Sequence, residues 1–198
     1  MPRALLILLL FVFSCRSPED ARWVPVAPAG DRYCQIDPAG ETILPNGRIL
    51  TPYGRTLTVA PHPYGLTLSP DGLTAVTANS GTSPISISII RNILGENPEI
   101  QQIPEGAQSD AGILASVFMG LAISPDNQTL YVAGGQENKV FVFNLQTGKK
   151  TGEIGCKSGS YEDGYIGDMV LSRDGKRLYA VDQAGFRMLV IDTEKQQV

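Results

Sequence analysis

A repeated turn motif constrains the fold of this chain more than any other feature of its sequence. Residues 64–77, 119–132 and 167–180 each contain a short apolar run, a Ser-x-Asp-Gly or Ser-x-Asp-Asn turn, and a second apolar run. Asp side chains bond to nearby backbone amides, and Gly or Asn accepts a positive φ, so each unit is predicted to form a tight hairpin. The turn residues are Ser69, Asp71 and Gly72 in the first unit, Ser124, Asp126 and Asn127 in the second, and Ser172, Asp174 and Gly175 in the third.

Each hairpin is followed by a third run of alternating apolar residues, at residues 85–89, 140–143 and 188–192. In the second unit a further turn leads to a fourth run at residues 151–154. A period of two with many β-branched residues is typical of strands rather than helices. Four short antiparallel strands per unit are the composition of a propeller blade. The sequence therefore predicts an all-β chain, a β-propeller of four-stranded antiparallel blades with about three blades present.

The spacing of the units predicts where the blades lie. Ser69 and Ser124 are 55 residues apart, whereas Ser124 and Ser172 are 48 residues apart. Since a blade needs about 40–50 residues, the first interval predicts an insertion at residues 97–116. The apolar stretch 111–122 is expected to be loop and then strand, with a short helical turn as the alternative. The predicted blades cover residues 61–104, 117–155 and 164–198, and the last of them lacks its fourth strand.

The second unit carries the residues of a known repeat. Gly-Leu-Ala-Ile-Ser-Pro-Asp at 120–126 is followed by Leu-Tyr-Val-Ala at 130–133 and by Val-Phe-Val-Phe-Asn-Leu-Gln-Thr-Gly-Lys at 140–149. This pattern resembles the YVTN-type β-propeller repeat, whose superfamily includes propeller lactonases and surface-layer-like repeat proteins. The resemblance extends over about residues 64–198 and implies a ring that usually has seven blades. Three blades are then an incomplete ring, and we expect a fragment of a longer propeller or an arc that associates with copies of itself.

A second resemblance lies upstream of the first unit. Residues 43–55 read Ile-Leu-Pro-Asn-Gly-Arg-Ile-Leu-Thr-Pro-Tyr-Gly-Arg, and Leu-Thr-Val follows at 57–59. This opening resembles that of bacterial two-domain proteins in which a propeller precedes a phosphoesterase domain of the alkaline phosphatase superfamily. The sequence contains no match to the metal-binding and nucleophilic motifs of that second domain, so the hydrolytic activity is not carried over. Residues 42–60 are predicted to hold N-terminal strands, with 57–60 as a candidate to close the ring onto the last blade.

The N-terminus has the pattern of an export signal. Arg3 precedes an apolar run at residues 4–13, which as a helix would be about 15 Å long, half the thickness of a bilayer core. That length predicts a signal peptide over residues 1–14 rather than a membrane span. Ser14 and Cys15 resemble the end of a bacterial lipobox, which implies lipidation of Cys15, a tether over residues 15–41, and a lipoprotein of the periplasm or outer membrane. The alternative is a signal peptide that is cleaved elsewhere or retained uncleaved.

Charge and composition exclude two classes of partner. Lys and Arg number 16 against 20 Asp and Glu, which gives a formal net charge of -4 and a pI near 5.0. This balance supplies no basic footprint for nucleic acid. With one His and three Cys in the sequence, a zinc site of the usual His/Cys type is not expected. No cofactor is expected.

The candidate functional residues are few. Asp163, Asp168 and Asp182 are weak candidates for holding a divalent metal, and the favoured alternative is that they are solvated loop acids. The single histidine, His62, is a candidate base near the propeller axis, although a loop residue before the first strand is the favoured reading. Cys34 and Cys156 are a possible disulfide in an oxidising compartment, and two unrelated thiols are the alternative.

These observations favour one of two functions. The first is a membrane-tethered, extracytoplasmic propeller repeat protein that acts as an interaction module for an unknown protein or small molecule. The second is a hydrolase component, either of a propeller lactonase or of a propeller–phosphoesterase protein, and a divalent metal belongs only to this alternative. Catalytic residues remain unknown, because no Ser/His/Asp arrangement is identifiable, and a fold alone does not define a function.

Overall fold

The computed structural model describes residues 25–37, 40–51, 53–80, 85–105, 116–157 and 163–198. The proposed signal peptide and Cys15 lie outside the described residues. Within these ranges the secondary structure consists of β-strands. No helix in them is long and apolar enough to cross a membrane. The chain divides into two compact units, Met1–Leu57 and Thr58–Val198.

The first unit contains a small antiparallel ribbon. Strand β1 (Thr42–Ile43) pairs with β2 (Ile49–Leu50), with Thr42 opposite Leu50. Between them Gly47 takes a φ of 73°, which glycine adopts without steric cost. The strand predicted at residues 57–60 is not formed: these residues have no ladder partner in the part of the chain that the structure describes.

The second unit contains three antiparallel sheets in chain order, and the predicted all-β architecture of four-stranded antiparallel sheets is confirmed. The first sheet consists of β3 (Pro63–Leu68), β4 (Thr74–Asn79), β5 (Ser86–Arg91) and β6 (Glu99–Ile103). The second consists of β7 (Leu121–Ile123), β8 (Thr129–Ala133), β9 (Lys139–Asn144) and β10 (Lys150–Gly155). The third consists of β11 (Ile166–Leu171), β12 (Arg177–Asp182) and β13 (Arg187–Asp192).

The predicted insertion begins too early in the sequence. Residues 97–116 were expected to loop out, but β6 lies within them and pairs with β5, with Ile103 opposite Ile87. The sequence of β6 is Glu-Ile-Gln-Gln-Ile, in which the two isoleucines are three residues apart. The sequence therefore lacks the alternation of apolar and polar residues that indicates a strand. Ile103 packs into the core, whereas Ile100 lies on the other side of the strand and is exposed.

Alternation along the strands gives the second sheet two buried faces. One face packs against the first sheet, and the other packs against the third. Phe143 is completely buried in the first interface, where truncation to alanine would cost about 3–5 kcal/mol. The first interface contains Val76, Ala78, Ile87, Ile89, Ile103, Val117, Leu121, Ile123, Leu130, Val132, Phe141, Phe143 and Leu145. The second contains Ala122, Tyr131, Ala133, Val140, Val142, Ile154, Cys156, Ile166, Met169, Leu178, Ala180, Leu189 and Ile191.

Glycine lets the innermost strands of neighbouring sheets approach each other. The backbone N–H of Gly120 donates a hydrogen bond of 2.9 Å to the carbonyl oxygen of Gly167. A Cβ on Gly120 would lie only 3.0 Å from the Cα of Asp168. At the matching position of the first sheet, a Cβ on Gly65 would overlap the carbonyl oxygen of Met119. Both inter-sheet contacts therefore require a residue without a side chain.

The third sheet ends in a turn like the one that precedes β10. In the second sheet the N–H of Asn144 donates to the carbonyl of Lys149, and Gly148 takes a φ of 70°. In the third, the N–H of Asp192 donates to the carbonyl of Gln197, and Gln196 takes a φ of 53°. Among the described residues this sheet has three strands, and the outer edge of β13 pairs only through that bridge.

Candidate interaction surface

The three repeated turns share one set of hydrogen bonds. In the first turn the Ser69 hydroxyl donates to Oδ1 of Asp71 at 2.5 Å and accepts the N–H of Thr74 at 2.9 Å. Oδ1 of Asp71 also accepts the N–H of Leu73 at 3.0 Å. The bonds recur in the turns of Ser124 and Asp126 and of Ser172 and Asp174. Gly72, Asn127 and Gly175 have φ values of 72°, 59° and 74°.

These bonds lower the pKa of all three turn aspartates. The Ser69 hydroxyl and then the N–H of Leu73 hold the pKa of Asp71 below its usual range. Asp126 and Asp174 have a lowered pKa for the same reason, with Ser124 and Ser172 as the main donors. Each carboxylate accepts hydrogen bonds within its own turn, so we assign the three aspartates a structural role.

A polar groove runs between the second and third turns. It has a volume of about 320 Å³ and is lined by turn residues together with Tyr131, Thr193 and Glu194. Burial raises the pKa of Tyr131, and the Thr193 hydroxyl donates to the carbonyl oxygen of Gly175 at 2.7 Å. The lining includes the carboxylates of Asp126, Asp174 and Glu194 and no histidine, lysine or arginine, so the groove is acidic.

The three candidate metal ligands do not form a metal site. Asp182 is completely buried and accepts the guanidinium Nε of Arg187 at 2.9 Å and the N–H groups of Tyr165 and Gly185 at 2.9 and 3.0 Å. Asp163 and Asp168 are exposed, and Oδ1 of Asp168 accepts the N–H of Met169. Among the residues that the structure describes, no three His, Cys, Asp or Glu side chains come together as metal ligands.

Asp182 instead anchors the hairpin between β12 and β13. Burial acts to raise its pKa, but the N–H groups of Gly185 and Tyr165 and the Arg187 guanidinium outweigh that effect and lower it. Arg187 also donates from Nη2 to the carbonyl of Cys156 at 3.3 Å, which ties this hairpin to the second sheet. The interpretation of Asp182 as a solvated loop acid was therefore wrong, because Arg187 pairs with it inside the sheet interface.

His62 and the cysteines lie at structural positions. His62 is exposed just before β3 with a φ of 55°, and its carbonyl accepts the N–H of Ser80. Cys34 and Cys156 are both free. Cys156 is completely buried, and burial, followed by the charge of Asp182, raises the pKa of its thiol to about 12.

An exposed apolar surface lies on the third sheet. We call it the third-sheet face. On β11 and β12, Val170 lies opposite Tyr179, and on β12 and β13, Val181 lies opposite Met188. Val170 is 62% exposed and Met188 is 63% exposed. A depression of about 140 Å³ in this face is bordered by the carboxylate residue Asp168. The face consists of Val170, Tyr179, Val181, Met188 and Val190.

A smaller apolar surface lies on the opposite side of the first sheet. Leu66 and Leu68 of β3 alternate with Gly65 and Thr67, and they point away from the second sheet. They are 70% and 56% exposed. We call these two leucines the β3 face. Large exposed apolar side chains that share one face of a sheet are typical of an interaction site.

Comparisons with known proteins identify the fold. No protein-family model matches the chain, and no curated protein matches it. The Kuenenia stuttgartiensis hydrazine synthase is similar in structure, with a TM-score of 0.53 and 22% identity over 73% of this chain and 36% of that one. The RRP9 WD40 repeats give a TM-score of 0.52 and 13% identity over 71% and 38% of the two chains. The structure of U3-55K gives a TM-score of 0.53 and 14% identity over 71% of this chain and 38% of that one.

The chain has a β-propeller fold. Its three sheets are consecutive blades, and the chain spans little more than a third of the length of the solved structures that it matches. At these identities the likeness extends to the fold alone. Function therefore has to be argued from the exposed surfaces of these blades rather than from the fold.

Proposed function

We propose that this chain is a membrane-tethered, extracytoplasmic interaction module built from YVTN-type propeller repeats. The observation that carries the proposal is the third-sheet face, where five apolar side chains of one sheet are left partly or largely exposed. Desolvation of such a surface by a partner supplies about 25 cal/mol for each Å² of apolar area that is buried. An apolar face on a rigid sheet is therefore suited to protein binding.

The tether is argued from the N-terminal sequence. Arg3 and the apolar run 4–13 are followed by Cys15, and residues 16–20 are polar without a periodic pattern. Acyl chains on Cys15 would hold the propeller blades at a bilayer surface, since each buried methylene contributes about 0.8 kcal/mol. The export pattern supports a location outside the cytoplasm.

Labelling with radioactive palmitate tests the tether. The wild-type chain should incorporate the label and sediment with membranes. The Cys15→Ser variant should neither incorporate the label nor sediment with membranes. Equal labelling of the two chains would contradict lipidation at Cys15.

Site-specific photo-crosslinking in the producing cells tests the interaction surface. A photo-reactive residue in place of Val181, on the third-sheet face, should yield a discrete adduct, and one in place of Leu94, which is 79% exposed in a loop, should not. Addition of Met188→Asp should abolish the Val181 adduct because a charge makes burial of the face unfavourable. Adducts of equal strength at both positions, or none at Val181, would overturn the proposal.

A further inference from the structure

The ribbon of the first unit is closed by a turn with the sequence Leu-Pro-Asn-Gly at residues 44–47. The backbone N–H of Gly47 donates to the carbonyl oxygen of Leu44 at 2.8 Å. Oδ1 of Asn46 accepts the backbone N–H of Arg48 at 3.2 Å, and Asn46 itself is exposed. Asn46 is also the one asparagine of the sequence that is followed by a glycine.

This turn has the backbone of the repeated turns but lacks the groups that fix their side chains. The first repeated turn reads Ser-Pro-Asp-Gly at residues 69–72, and there a hydroxyl and a backbone N–H both donate to Asp71. Leu44 supplies no hydroxyl at the place of Ser69, so among the described residues Asn46 Oδ1 accepts the backbone N–H alone. Asn46 also ends in an amide that can leave as ammonia, whereas the ionised carboxylate of Asp71 carries no leaving group.

The hydrogen bond between Asn46 and Arg48 favours attack on the side-chain carbonyl of Asn46. It holds the side chain folded back over the peptide group that follows. When a nitrogen adds to Cγ, negative charge develops on Oδ1, and the N–H of Arg48 is already placed to stabilise that charge. Glycine at the next position leaves the attacking nitrogen unshielded, because it has no Cβ.

We propose that Asn46 is a site of spontaneous deamidation. The backbone nitrogen of Gly47 bonds to Cγ of Asn46, and the bond between Cγ and Nδ2 breaks. The proton of the attacking nitrogen passes through water to the departing amide, which leaves as ammonia. Water then opens the resulting succinimide at either carbonyl, so that residue 46 becomes aspartate or isoaspartate. No oxidant or reductant takes part, and the inference is independent of the proposed function.

The hydrogen bond from Gly47 to Leu44 opposes the reaction. The nitrogen of Gly47 can lose its proton only after its N–H has left the Leu44 carbonyl, so the turn must open locally. The two strands that the turn joins, β1 and β2, have only two residues each. A short exposed ribbon opens at low free-energy cost, so this bond slows the reaction without blocking it.

The product changes the packing of the first unit. The carbonyl oxygen of Gly47 accepts the N–H of Ala29 at 3.0 Å, and Ala29 is buried. A Cβ on Gly47 would overlap the side chain of Ala27, so the turn lies tightly against this segment. Isoaspartate adds a methylene to the backbone and displaces Gly47. Deamidation should therefore release residues 27–30 from the turn, and each modified copy gains one negative charge.

Peptide mapping of the aged protein tests the site. The full-length chain, purified in mild detergent, is incubated at 37 °C in water labelled with the heavy oxygen isotope and then digested for mass spectrometry. We expect the fragment with Asn46 to incorporate one labelled oxygen atom and to elute as isoaspartate and aspartate forms. Asn127, which is followed by Gln128, and Asp71 should remain unchanged. An Asn46 that stays unmodified, or modification of Asn127 to the same extent, would overturn the proposal.

Hydrogen exchange measures the consequence for the first unit. The amide of Ala29 should exchange about fivefold faster in the aged wild-type chain than in the fresh one, the usual net effect of losing one hydrogen bond. Asn46→Gln is the matched control, because its side chain would have to close a larger ring, and its exchange should not change with age. Equal acceleration in both aged chains would contradict the assignment of the change to residue 46.

Discussion

The backbone N–H of Gly120 lies 2.9 Å from the carbonyl oxygen of Gly167, and this hydrogen bond joins the innermost strands of the second and third blades. A Cβ on Gly120 would approach the Cα of Asp168 to 3.0 Å and the Cβ of Ala133 to 2.9 Å. Backbone atoms on a strand cannot move aside as the end of a side chain can. A side chain at position 120 would therefore force these two strands apart.

We expect Gly120→Ala to destabilise the chain by about 1–3 kcal/mol, the usual cost of overpacking a close contact. Urea denaturation followed by far-ultraviolet circular dichroism measures the change. Gly155→Ala is the matched control, since Gly155 is also in a strand environment and a Cβ there would meet nothing within 4 Å. Equal losses in the two variants would mean that the Gly120 contact is not tight.

The buried pair of Asp182 and Arg187 should contribute strongly to the stability of the third blade. Asp182→Ala removes one partner and leaves the Arg187 guanidinium, whose side chain is 17% exposed, without its carboxylate. Loss of one member of a buried pair costs about 3–5 kcal/mol. Chemical denaturation should show this loss for Asp182→Ala and almost none for Asp163→Ala at an exposed position. Similar stabilities of the two variants would refute the anchoring role.

The two described thiols should differ sharply in reactivity. The thiolate is the reactive form of cysteine, and burial holds the pKa of Cys156 at about 12, whereas Cys34 is exposed. In a Cys15→Ser background, iodoacetamide at pH 8 should modify one thiol of the native chain and two after denaturation in urea. Mass spectrometry of peptides identifies the modified residue. Native modification of Cys156 would show that the second inter-blade interface opens.

The repeated turns should make the chain sensitive to acid. The pKa of Asp71, Asp126 and Asp174 is lowered in the folded chain, so each carboxylate contributes stability above its unfolded pKa of about 4 and loses it as the pH falls through the folded value. Replacing all three with Asn should reduce the slope of unfolding free energy against pH below about pH 4. Urea titrations between pH 2.5 and 6 measure this slope, and an identical slope in both chains would contradict the assignment.

The hairpins of this fold are predictable from sequence because their determinants are local. Ser69, Asp71 and Gly72 make their turn with bonds that span at most five residues, and the same residue types recur in the other two units. Strand β6 is not predictable in the same way. Its isoleucines depart from a period of two, and it is held by pairing with β5 rather than by a turn motif of its own.

The candidate surface depends on information that a single sequence lacks. Val170 and Leu171 are consecutive apolar residues of β11 and therefore lie on opposite faces of the strand. The sequence does not show which of these two faces is covered by another sheet. The 48-residue correspondence between the second and third units shows which residues are equivalent, but Tyr131 is buried whereas its counterpart Tyr179 is partly exposed. The pair of Asp182 and Arg187 is local in sequence, since the two residues are five apart and lie opposite each other across a hairpin.

The order of the strands has a consequence for how the chain acquires its structure. Within every sheet each strand pairs with the strand next to it in sequence, and the largest apolar interfaces join consecutive sheets. Contacts of short sequence separation require little loop closure, so they form quickly. Each blade can therefore fold as soon as it leaves the ribosome and can serve as the template on which the next one docks. Growth of the native structure then follows the direction of synthesis.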